Sequence, residues 1–494
     1  MAQRCEQAPS TDAVSNESSR PGIDDRALRP NGAALRPEVL PRGGDFTEDT
    51  LGRMSELARM FLELEKRQPV ARHLPPDDLA ALLDLSLGEE GLPLDRVFAL
   101  LGEVMEATPR TSSPAFFNQL YAGRDAVPTA AEMLTALMNT SMYTYRIAGP
   151  HALIEHEVMR HMAAKVGYVD GEGILCPGGS IANLCAMIIA RNEARPGIQD
   201  DGHDGRPMIA YASEDAHYSL NKAAAITGLG RRNLRGIGVD AHGRMVPDAL
   251  RDAVAADLER GTQPFLIVAT AGTTVLGAFD PIDDLASIAE EFGLWLHVDG
   301  ALGGSFLVSQ EHRHLLNGSA RSNSFNWNPH KLMGVPLSCS ALLVHQQGLL
   351  KKHFKEPADY LFQSDPERFD HGTMSIQCGR RNDALKIWAA WKRHGDAGYA
   401  RRIDRLFDLV QYAADRVRSD PQLILTAEPE SVCLCFEVVN RQSEEICERL
   451  LLDQRAMVGH AVVRGRKVIR LACANPEVTE ADLDGFFDHI RAIV

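Results

Sequence analysis

Short apolar runs alternate with amphipathic stretches between residues 130 and 345, and this alternation predicts a β-sheet covered by helices. Four runs are apolar on both faces, as in buried strands: residues 208–211, 265–269, 294–298 and 341–344. A helix is predicted between two of them, with Asp280 as N-cap, Pro281 at its first position and Gly293 as C-cap. Strand, helix and strand in this order form a βαβ unit. We therefore expect an α/β fold with a mostly parallel central sheet and flanking helices.

The chain has a different pattern on either side of this region. Residues 1–44 are rich in polar residues, Pro and Gly without apolar periodicity, which is typical of a disordered tail. Residues 45–129 have helical periodicity but no core of their own, so we expect them to pack against the main domain or a second subunit. Residues 130–384 form the predicted large domain. Residues 385–494, with long amphipathic helices followed by two strands, form a predicted small α+β domain.

Composition and charge narrow the class of protein. The 494 residues are 45% hydrophobic and 24% charged, as in ordinary globular proteins. A net charge of −15 argues against a nucleic-acid or membrane-surface protein, because both need clustered cations. The nine cysteines are scattered, which favours reduced thiols. The polar N-terminus does not resemble a signal peptide and no apolar run reaches membrane-spanning length. We expect a cytoplasmic protein whose partners include neither nucleic acid nor a membrane.

The motifs that would indicate a nucleotide or a metal are incomplete. Gly228-Leu-Gly230 lacks the third glycine of a dinucleotide-binding turn, and there is no Walker A sequence. His156 and His161 are five positions apart, so on a helix they would face different directions and could not share a metal ion. His312-Arg-His314 is expected to be a polar turn. The sequence predicts no metal site.

Polar residues follow several of the predicted strands, where parallel sheets bind their ligands. Cys176-Pro-Gly-Gly-Ser180 precedes an amphipathic helix, and with Ser180 as N-cap it could bind a phosphate, although such loops also occur without a ligand. Asp299 follows an apolar strand and should meet a cation. His217 could stack on a ring, or be a core histidine with satisfied hydrogen bonds. Thr270 is a further polar group at the same sheet edge.

Lys331 ends the segment Ser324-Phe-Asn-Trp-Asn-Pro-His-Lys, in which Pro329 interrupts a β-rich run. A lysine at this point suits an amine that forms an imine with a carbonyl, and a solvated loop lysine is the alternative. A phosphate-binding turn, an acid for a ring nitrogen, a stacking imidazole and an imine-forming lysine together match the needs of pyridoxal 5'-phosphate (PLP).

The segment Asn326-Trp-Asn-Pro-His-Lys331 closely resembles the lysine motif of the group II PLP-dependent amino-acid decarboxylases. Within them it looks most like the acidic-amino-acid branch, which contains glutamate, cysteine sulfinate and aspartate decarboxylases. The resemblance runs from about residue 116 to about residue 475. Further segments that carry it are residues 116–120, 139–145, 270–280, 296–299, 360–363 and 377–380. It implies PLP fold type I and a homodimer with shared active sites.

The resemblance also implies roles for single residues. Lys331 matches the lysine that binds the cofactor, Asp299 the acid that keeps its ring nitrogen protonated, and His217 the stacking imidazole. Tyr360 matches a tyrosine of a catalytic loop, near residues 355–375, that protonates Cα after CO₂ leaves. Further cofactor contacts are expected at Gly179, Ser180, Ala301 and His330, and at Thr270 because of its position.

Substrate choice is expected to depend on a second group of residues. Arg380 and Gln119 match a pair that holds the distal acid of the substrate. Ser141 and Tyr143 match the cysteine sulfinate and aspartate branch, where glutamate enzymes usually have Asn and Phe. The chain departs from the usual pattern of the acidic branch at several positions: Arg146, Gly300, Leu302, Ser338, His371 and Thr373.

The sequence therefore favours decarboxylation of L-cysteine sulfinate or L-aspartate to hypotaurine or β-alanine. The alternatives are glutamate, and cysteate or a phosphonate analogue, which a larger or more cationic pocket would suit. Three further readings are an aromatic L-amino-acid decarboxylase, an aldehyde-forming oxidative variant and a non-catalytic homologue acting as a scaffold. The motif at residues 377–380 argues against the first, Tyr360 against the second, and the filled cofactor positions against the third.

Overall fold

A computed structural model describes residues 48–358, 362 and 369–493 of the chain. Tyr360 and the predicted tail at residues 1–44 lie outside the described residues. The described residues divide into two units, with residues 48–58 in the first and residues from 59 onward in the second. The described part of the first unit, from residue 48 onward, is the beginning of a helix, α1 (Glu48–Arg67).

The second unit contains twelve described strands and most of the helices. The strands are β1 (Phe116–Phe117), β2 (Glu172–Cys176), β3 (Met208–Ser213), β4 (Leu234–Ile237), β5 (Gln263–Thr270), β6 (Trp295–Gly300), β7 (Ser324–Trp327), β8 (Ser340–Val344), β9 (Leu423–Leu425), β10 (Cys433–Val438), β11 (Met457–Val463) and β12 (Arg466–Ala472). The helices are α2 (Pro76–Leu82), α3 (Leu94–Ala107), α4 (Ala126–Met138), α5 (Tyr145–Ala148), α6 (Pro150–Val166), α7 (Gly179–Ala194), α8 (Ile198–Asp201), α9 (Ser219–Ile226), α10 (Pro247–Glu259), α11 (Ile282–Phe292), α12 (Leu349–Phe354), α13 (Ala384–Ser419), α14 (Ser443–Leu452) and α15 (Glu480–Ile493).

The large sheet has seven strands in the order β2-β8-β7-β6-β5-β3-β4. All its neighbouring pairs are parallel except the two that β8 makes, with β7 and with β2. Its central strands are buried on both faces, as their continuous apolar runs predict. The expected α/β class with a mostly parallel sheet is confirmed, and β5, β6 and β7 end at one edge where ligands of such sheets bind.

The small sheet has five strands in the order β1-β11-β12-β10-β9. The segment predicted as a helical lead-in contributes one of them, because β1 pairs in parallel with β11. A strand of only two residues is too short to be predicted from the sequence pattern. The small sheet therefore combines one strand from residues 45–129 with four strands from the C-terminal domain. Residues 45–129 are thus not purely helical.

Asp280 is not the N-cap of α11, contrary to the prediction. The helix begins at Ile282 with Pro281 as its N-cap, and it ends as predicted at Gly293 in the left-handed region. The Asp280 carboxylate is buried and accepts hydrogen bonds from the backbone N–H groups of Met245 and Thr270, each at 2.7 Å. Burial raises the pKa of Asp280 to about 6. Its carboxylate thus holds the end of β5 in place.

No helix in the described ranges is long and apolar enough to cross a membrane.

Candidate active site

A cavity of about 250 Å³ opens beside the ends of β5 and β6. Its lining brings together eight residues that the sequence singled out: Gly179, Ser180, His217, Thr270, Asp299, Ala301, His330 and Lys331. The sheet register explains part of this, since Thr270 and Asp299 are paired neighbours on adjacent parallel strands. Residues that follow different strands meet here because the strands end at the same edge.

The N-terminus of α7 forms one end of the cavity. Gly178 is the N-cap, with φ of 108°, and Ser180 lies in the first turn, so the predicted Ser180 cap is wrong. A Cβ on Gly179 would lie 2.6 Å from Nδ2 of Asn328, so only glycine permits this approach. Three buried oxygens of the lining, Oγ1 of Thr270 and the Oδ1 atoms of Asn326 and Asn328, have no hydrogen-bond partner among the residues that the structure describes. Backbone N–H groups at a helix start beside an unpaired hydroxyl group fit a phosphate.

Asp299 lies in the wall of the cavity and is almost fully buried. Its carboxylate accepts hydrogen bonds from Nδ2 of Asn183 at 2.7 Å, Nδ2 of Asn326 at 3.1 Å and the backbone N–H of Ala301 at 3.2 Å. Three donors hold the carboxylate in one orientation. A buried acid of this kind suits a cationic ring nitrogen as its further partner.

Lys331 is half-buried in the wall of the same cavity. Burial lowers the pKa of its ammonium group, the Asp299 charge partly opposes this, and the Arg470 charge adds to the lowering. A lowered pKa increases the neutral fraction of the amine, which is the nucleophilic form. Nδ1 of the neighbouring His330 contacts the backbone of Cys339, and burial lowers the pKa of His330 to about 4.

Arg470 is a site residue that the sequence did not single out. It lies on β12 and is 9% exposed. Its guanidinium donates to the backbone carbonyl oxygens of Thr274 and Asn118, each at 2.9 Å, and Thr274 lines the cavity. Through Thr274 the Arg470 guanidinium lies beside the cavity, although Arg470 is not part of its described lining. A lone arginine within the apolar run Val468-Ile-Arg-Leu471 was the available signal.

Three asparagines were also missed, namely Asn183, Asn326 and Asn328, which all line the cavity. Asn326 and Asn328 belong to the segment Asn326-Trp-Asn-Pro-His-Lys331. These two could have been predicted from the sequence, because they are polar residues in a run that is otherwise typical of a buried strand.

Arg380, predicted as a substrate-binding residue, does not lie in the described lining of the cavity. It is buried, and its guanidinium forms an ion pair with Glu155 and donates to the carbonyl oxygens of Met142 and Leu175, each at 3.0 Å. Glu155 also accepts from the N–H of Leu175 at 3.0 Å. These contacts leave no bidentate face of Arg380 for a substrate. The pair instead holds β2, which leads into the turn before α7.

The other three predicted substrate residues also lie outside the described lining of the cavity. Gln119 is exposed and follows Asn118, whose carbonyl oxygen binds Arg470. Oγ of Ser141 accepts from the backbone N–H of Arg380 at 3.2 Å, and the carbonyl oxygen of Tyr143 accepts from the N–H of Gly372 at 2.8 Å. Gln119 therefore follows a residue that contacts Arg470 in space, while Ser141 and Tyr143 lie in the region around Arg380.

Replacing Glu155 by Ala is expected to lower the free energy of unfolding by about 3 kcal/mol, because Arg380 would remain buried without its partner. Burial alone would raise the pKa of Glu155, but the Arg380 and His371 charges hold it well below the ordinary value of 4.5. A lowered folded pKa gives stability that is complete above the ordinary value and is lost as the pH falls below it. Denaturant unfolding across pH 3 to 7 measures this, with the difference between variant and wild type shrinking at acid pH.

The matched control is Glu157→Ala on the same helix, whose exposed pair with Arg160 should contribute no more than about 1 kcal/mol. Equal stability losses for the two variants would refute the special role of Glu155.

Comparison with known proteins adds independent evidence on the chain. The family model described as "Pyridoxal-dependent decarboxylase conserved domain" matches residues 76–439. The acidic amino acid decarboxylase GADL1 of Mus musculus is 38% identical, over 89% of this chain and 85% of its own. The cysteine sulfinic acid decarboxylase of Homo sapiens is 39% identical, over 86% and 91%. The crystal structure of mouse CSAD superimposes with a TM-score of 0.85 at 35% identity, covering 90% of this chain and 98% of that one.

Proposed function

The chain belongs to the pyridoxal-dependent decarboxylase family, and on this basis we propose that it decarboxylates L-cysteine sulfinate and L-aspartate, giving hypotaurine and β-alanine. It is a carboxy-lyase with PLP as cofactor, and acidic amino acids are its substrate class. The observation that carries an acidic substrate is one cavity that holds Lys331, Asp299 and His217 with the Arg470 guanidinium beside it. Ser141 and Tyr143 are the residues that favour the shorter acids within this class.

The residues present fit PLP, because the cavity offers an anion-binding helix start, unpaired buried oxygens, an oriented carboxylate and an amine. Gly179, Ser180 and Thr270, together with Asn328 and His330, would hold the phosphate. The ring would lie between His217 and Ala301, with its nitrogen at Asp299. Bound PLP supplies an electron sink for the bond that breaks between Cα and the carboxylate.

The chain itself supplies charge, orientation and protons. The Lys331 amine would hold the cofactor through its aldehyde, and the Asp299 carboxylate would keep the ring nitrogen protonated. We assign to Arg470 the role that the sequence assigned to Arg380, namely holding the distal acid of the substrate. An arginine that binds only the distal acid leaves the scissile carboxylate without a stabilising ion pair in the ground state. Tyr360, outside the described residues, stays a prediction as the proton donor to Cα.

Two departures from the usual family pattern have structural reasons. A Cβ on Gly300 would lie 2.4 Å from the ring of Phe325, so glycine lets these strands pack. Leu302 is fully buried, 3.1 Å from where a Cβ on Gly272 would lie, and Gly272 lines the cavity. Both residues shape the packing behind the cavity. Arg146, in contrast, is exposed in the described chain.

A panel of acidic amino acids tests the substrate assignment. We expect kcat/KM for cysteine sulfinate and aspartate to exceed that for glutamate by about tenfold, since one methylene group changes binding by roughly 1–3 kcal/mol. Initial rates of CO₂ release with aspartate, cysteine sulfinate, cysteate and glutamate provide the measurement. DOPA serves as the control for an aromatic substrate. Glutamate as the best substrate would overturn the assignment.

We also propose that the protein is a homodimer whose active sites are shared. Ser141 and Tyr143 do not belong to the described lining of the cavity of their own chain. In a dimer they would be available to contact the partner's active site. Exposed apolar side chains are concentrated on α3 and α4. They include Val97, Leu101, Val104, Leu134, Leu137 and Met138. Patches of this kind mark protein interfaces. Light scattering that gives the mass of a single 54.1 kDa chain would contradict the dimer.

A further inference from the structure

A continuous hydrogen-bond network runs behind the cavity from a tryptophan to Asp299. Nε1 of Trp295 donates to Oγ of Ser324 at 2.9 Å, and that hydroxyl group lies 2.8 Å from Nδ1 of His297. Nε2 of His297 lies 3.1 Å from Oδ1 of Asn183. Nδ2 of Asn183 then reaches Asp299 at 2.7 Å. Ser324, His297 and Asn183 are buried, so these groups depend on one another for their hydrogen bonds.

The network has a second branch that ends on His217. The same Nδ2 of Asn183 donates to Oγ of Ser219 at 3.1 Å. Oγ of Ser219 lies 2.8 Å from Nδ1 of His217, and the backbone N–H of Ser219 donates to that nitrogen at 3.3 Å. Asn183 is therefore the point where the paths to the ring-nitrogen acid and to the stacking imidazole divide.

The chemistry of the donors fixes the direction of each bond. An indole N–H only donates, so the Ser324 hydroxyl accepts from Trp295. Burial lowers the pKa of His297 to about 4, so the ring is neutral and has one proton. Nδ1 accepts from the Ser324 hydroxyl, because the ring's one proton is on Nε2, which faces an amide oxygen that only accepts. That proton goes to Oδ1 of Asn183. The Asn183 amide consequently has both N–H bonds available, one for each branch.

The branch to His217 fixes the tautomer of that ring. Nδ1 of His217 faces a backbone N–H, which is always a donor, so Nδ1 must accept. The Ser219 hydroxyl accepts from Asn183 and donates to the same Nδ1. Burial lowers the pKa of His217, which favours the neutral ring. The proton of His217 is then on Nε2.

We propose that Asn183 is a positioning residue whose single amide orients the Asp299 carboxylate and also directs the Ser219 hydroxyl proton onto Nδ1 of His217. The second contact reinforces the Nε2–H tautomer of His217 that the Ser219 backbone N–H requires. The inference rests on the proposed function, in which Asp299 and His217 contact the cofactor ring. Asp299 meets the ring at its edge and His217 meets it on its face. One amide therefore aligns the two contacts relative to each other, which two independently held side chains would not guarantee.

The test compares Asn183→Leu with Asn192→Leu. Both asparagines are buried on α7, but Asn192 contacts Arg191 and His353, away from the cavity. We expect the dissociation constant of PLP from the Asn183→Leu apoprotein to rise at least about tenfold, because a hydrogen bond to a charged group contributes roughly 1.5–3 kcal/mol. The visible circular dichroism of bound PLP should also change, since it reports the tilt of the ring. Asn192→Leu should match wild type in both measurements.

Ser219→Ala provides a second, milder variant in case Asn183→Leu does not fold. It removes the branch to His217 and leaves the donor to Asp299, so the pH profile of kcat and the circular dichroism should change while PLP affinity falls less than in Asn183→Leu. Wild-type values for PLP affinity, circular dichroism and the pH profile in either folded variant would overturn the proposal. A wild-type protein that binds no PLP would instead overturn the proposed function itself.

Discussion

Lys331→Ala is expected to lower the turnover of every acidic substrate by roughly 10³-fold or more, because it removes the amine that binds the cofactor. Lys331 is the only lysine in the described lining of the cavity. Burial lowers the pKa of its ammonium group, which favours the neutral, nucleophilic form of the amine. CO₂ release under single-turnover and steady-state conditions measures the loss. The visible absorbance of the protein mixed with PLP should change with it.

The matched control is Lys222→Ala. Lys222 is exposed and lies over the Tyr218 ring, 4.6 Å from its centroid, close to His217 but not in the cavity lining. Its loss removes a positive charge near the site without removing the reactive amine, so turnover should stay within about threefold of wild type. If Lys331→Ala kept substantial turnover, or if both variants lost activity equally, the assignment of Lys331 would fail.

The parts of the site that follow strands were accessible from the sequence. Asp299 and Thr270 each follow an apolar run that is typical of a buried strand. The carboxyl ends of parallel strands lie at the same edge of a sheet, so residues at these ends are expected to lie close together. Lys331 was predicted from the motif around Pro329, and it lies in the described lining of the cavity. The fold class and the cofactor are confirmed for the same reason, since both depend on local patterns and on ordered motifs along most of the chain.

The roles of the two arginines were not accessible, because they depend on partners distant in sequence. Arg380 stands in a polar motif but is paired with Glu155, and nothing in the spacing of the chain reveals that pair. Arg470 stands in a strand that reads as core, yet its guanidinium lies beside the cavity. The pairing of β1 with β11 was hidden in the same way. Tertiary contacts decide each of these positions.

Arg470→Met is expected to lower kcat/KM for cysteine sulfinate and aspartate by roughly 30- to 4,000-fold. Removing one partner of a buried charged pair costs roughly 2–5 kcal/mol, and each 1.4 kcal/mol is a factor of ten. The loss should appear mainly in KM if the guanidinium binds the distal acid equally in the ground and transition states. Arg470→Lys keeps the charge but loses the two-pronged geometry, so its kcat/KM should lie between those of wild type and Arg470→Met.

The control for this experiment lies on the same strand. Arg466 is exposed and pairs with Glu437, so Arg466→Met should keep the wild-type kcat/KM. Binding of PLP and the unfolding temperature must be measured for each variant, because Arg470 also donates to the carbonyl oxygens of Thr274 and Asn118. A folded, PLP-bound Arg470→Met with wild-type kcat/KM would show that another group holds the distal acid. A loss confined to acidic substrates, with cofactor binding intact, identifies Arg470 as the residue that distinguishes them, since a general defect of the site would impair cofactor binding as well.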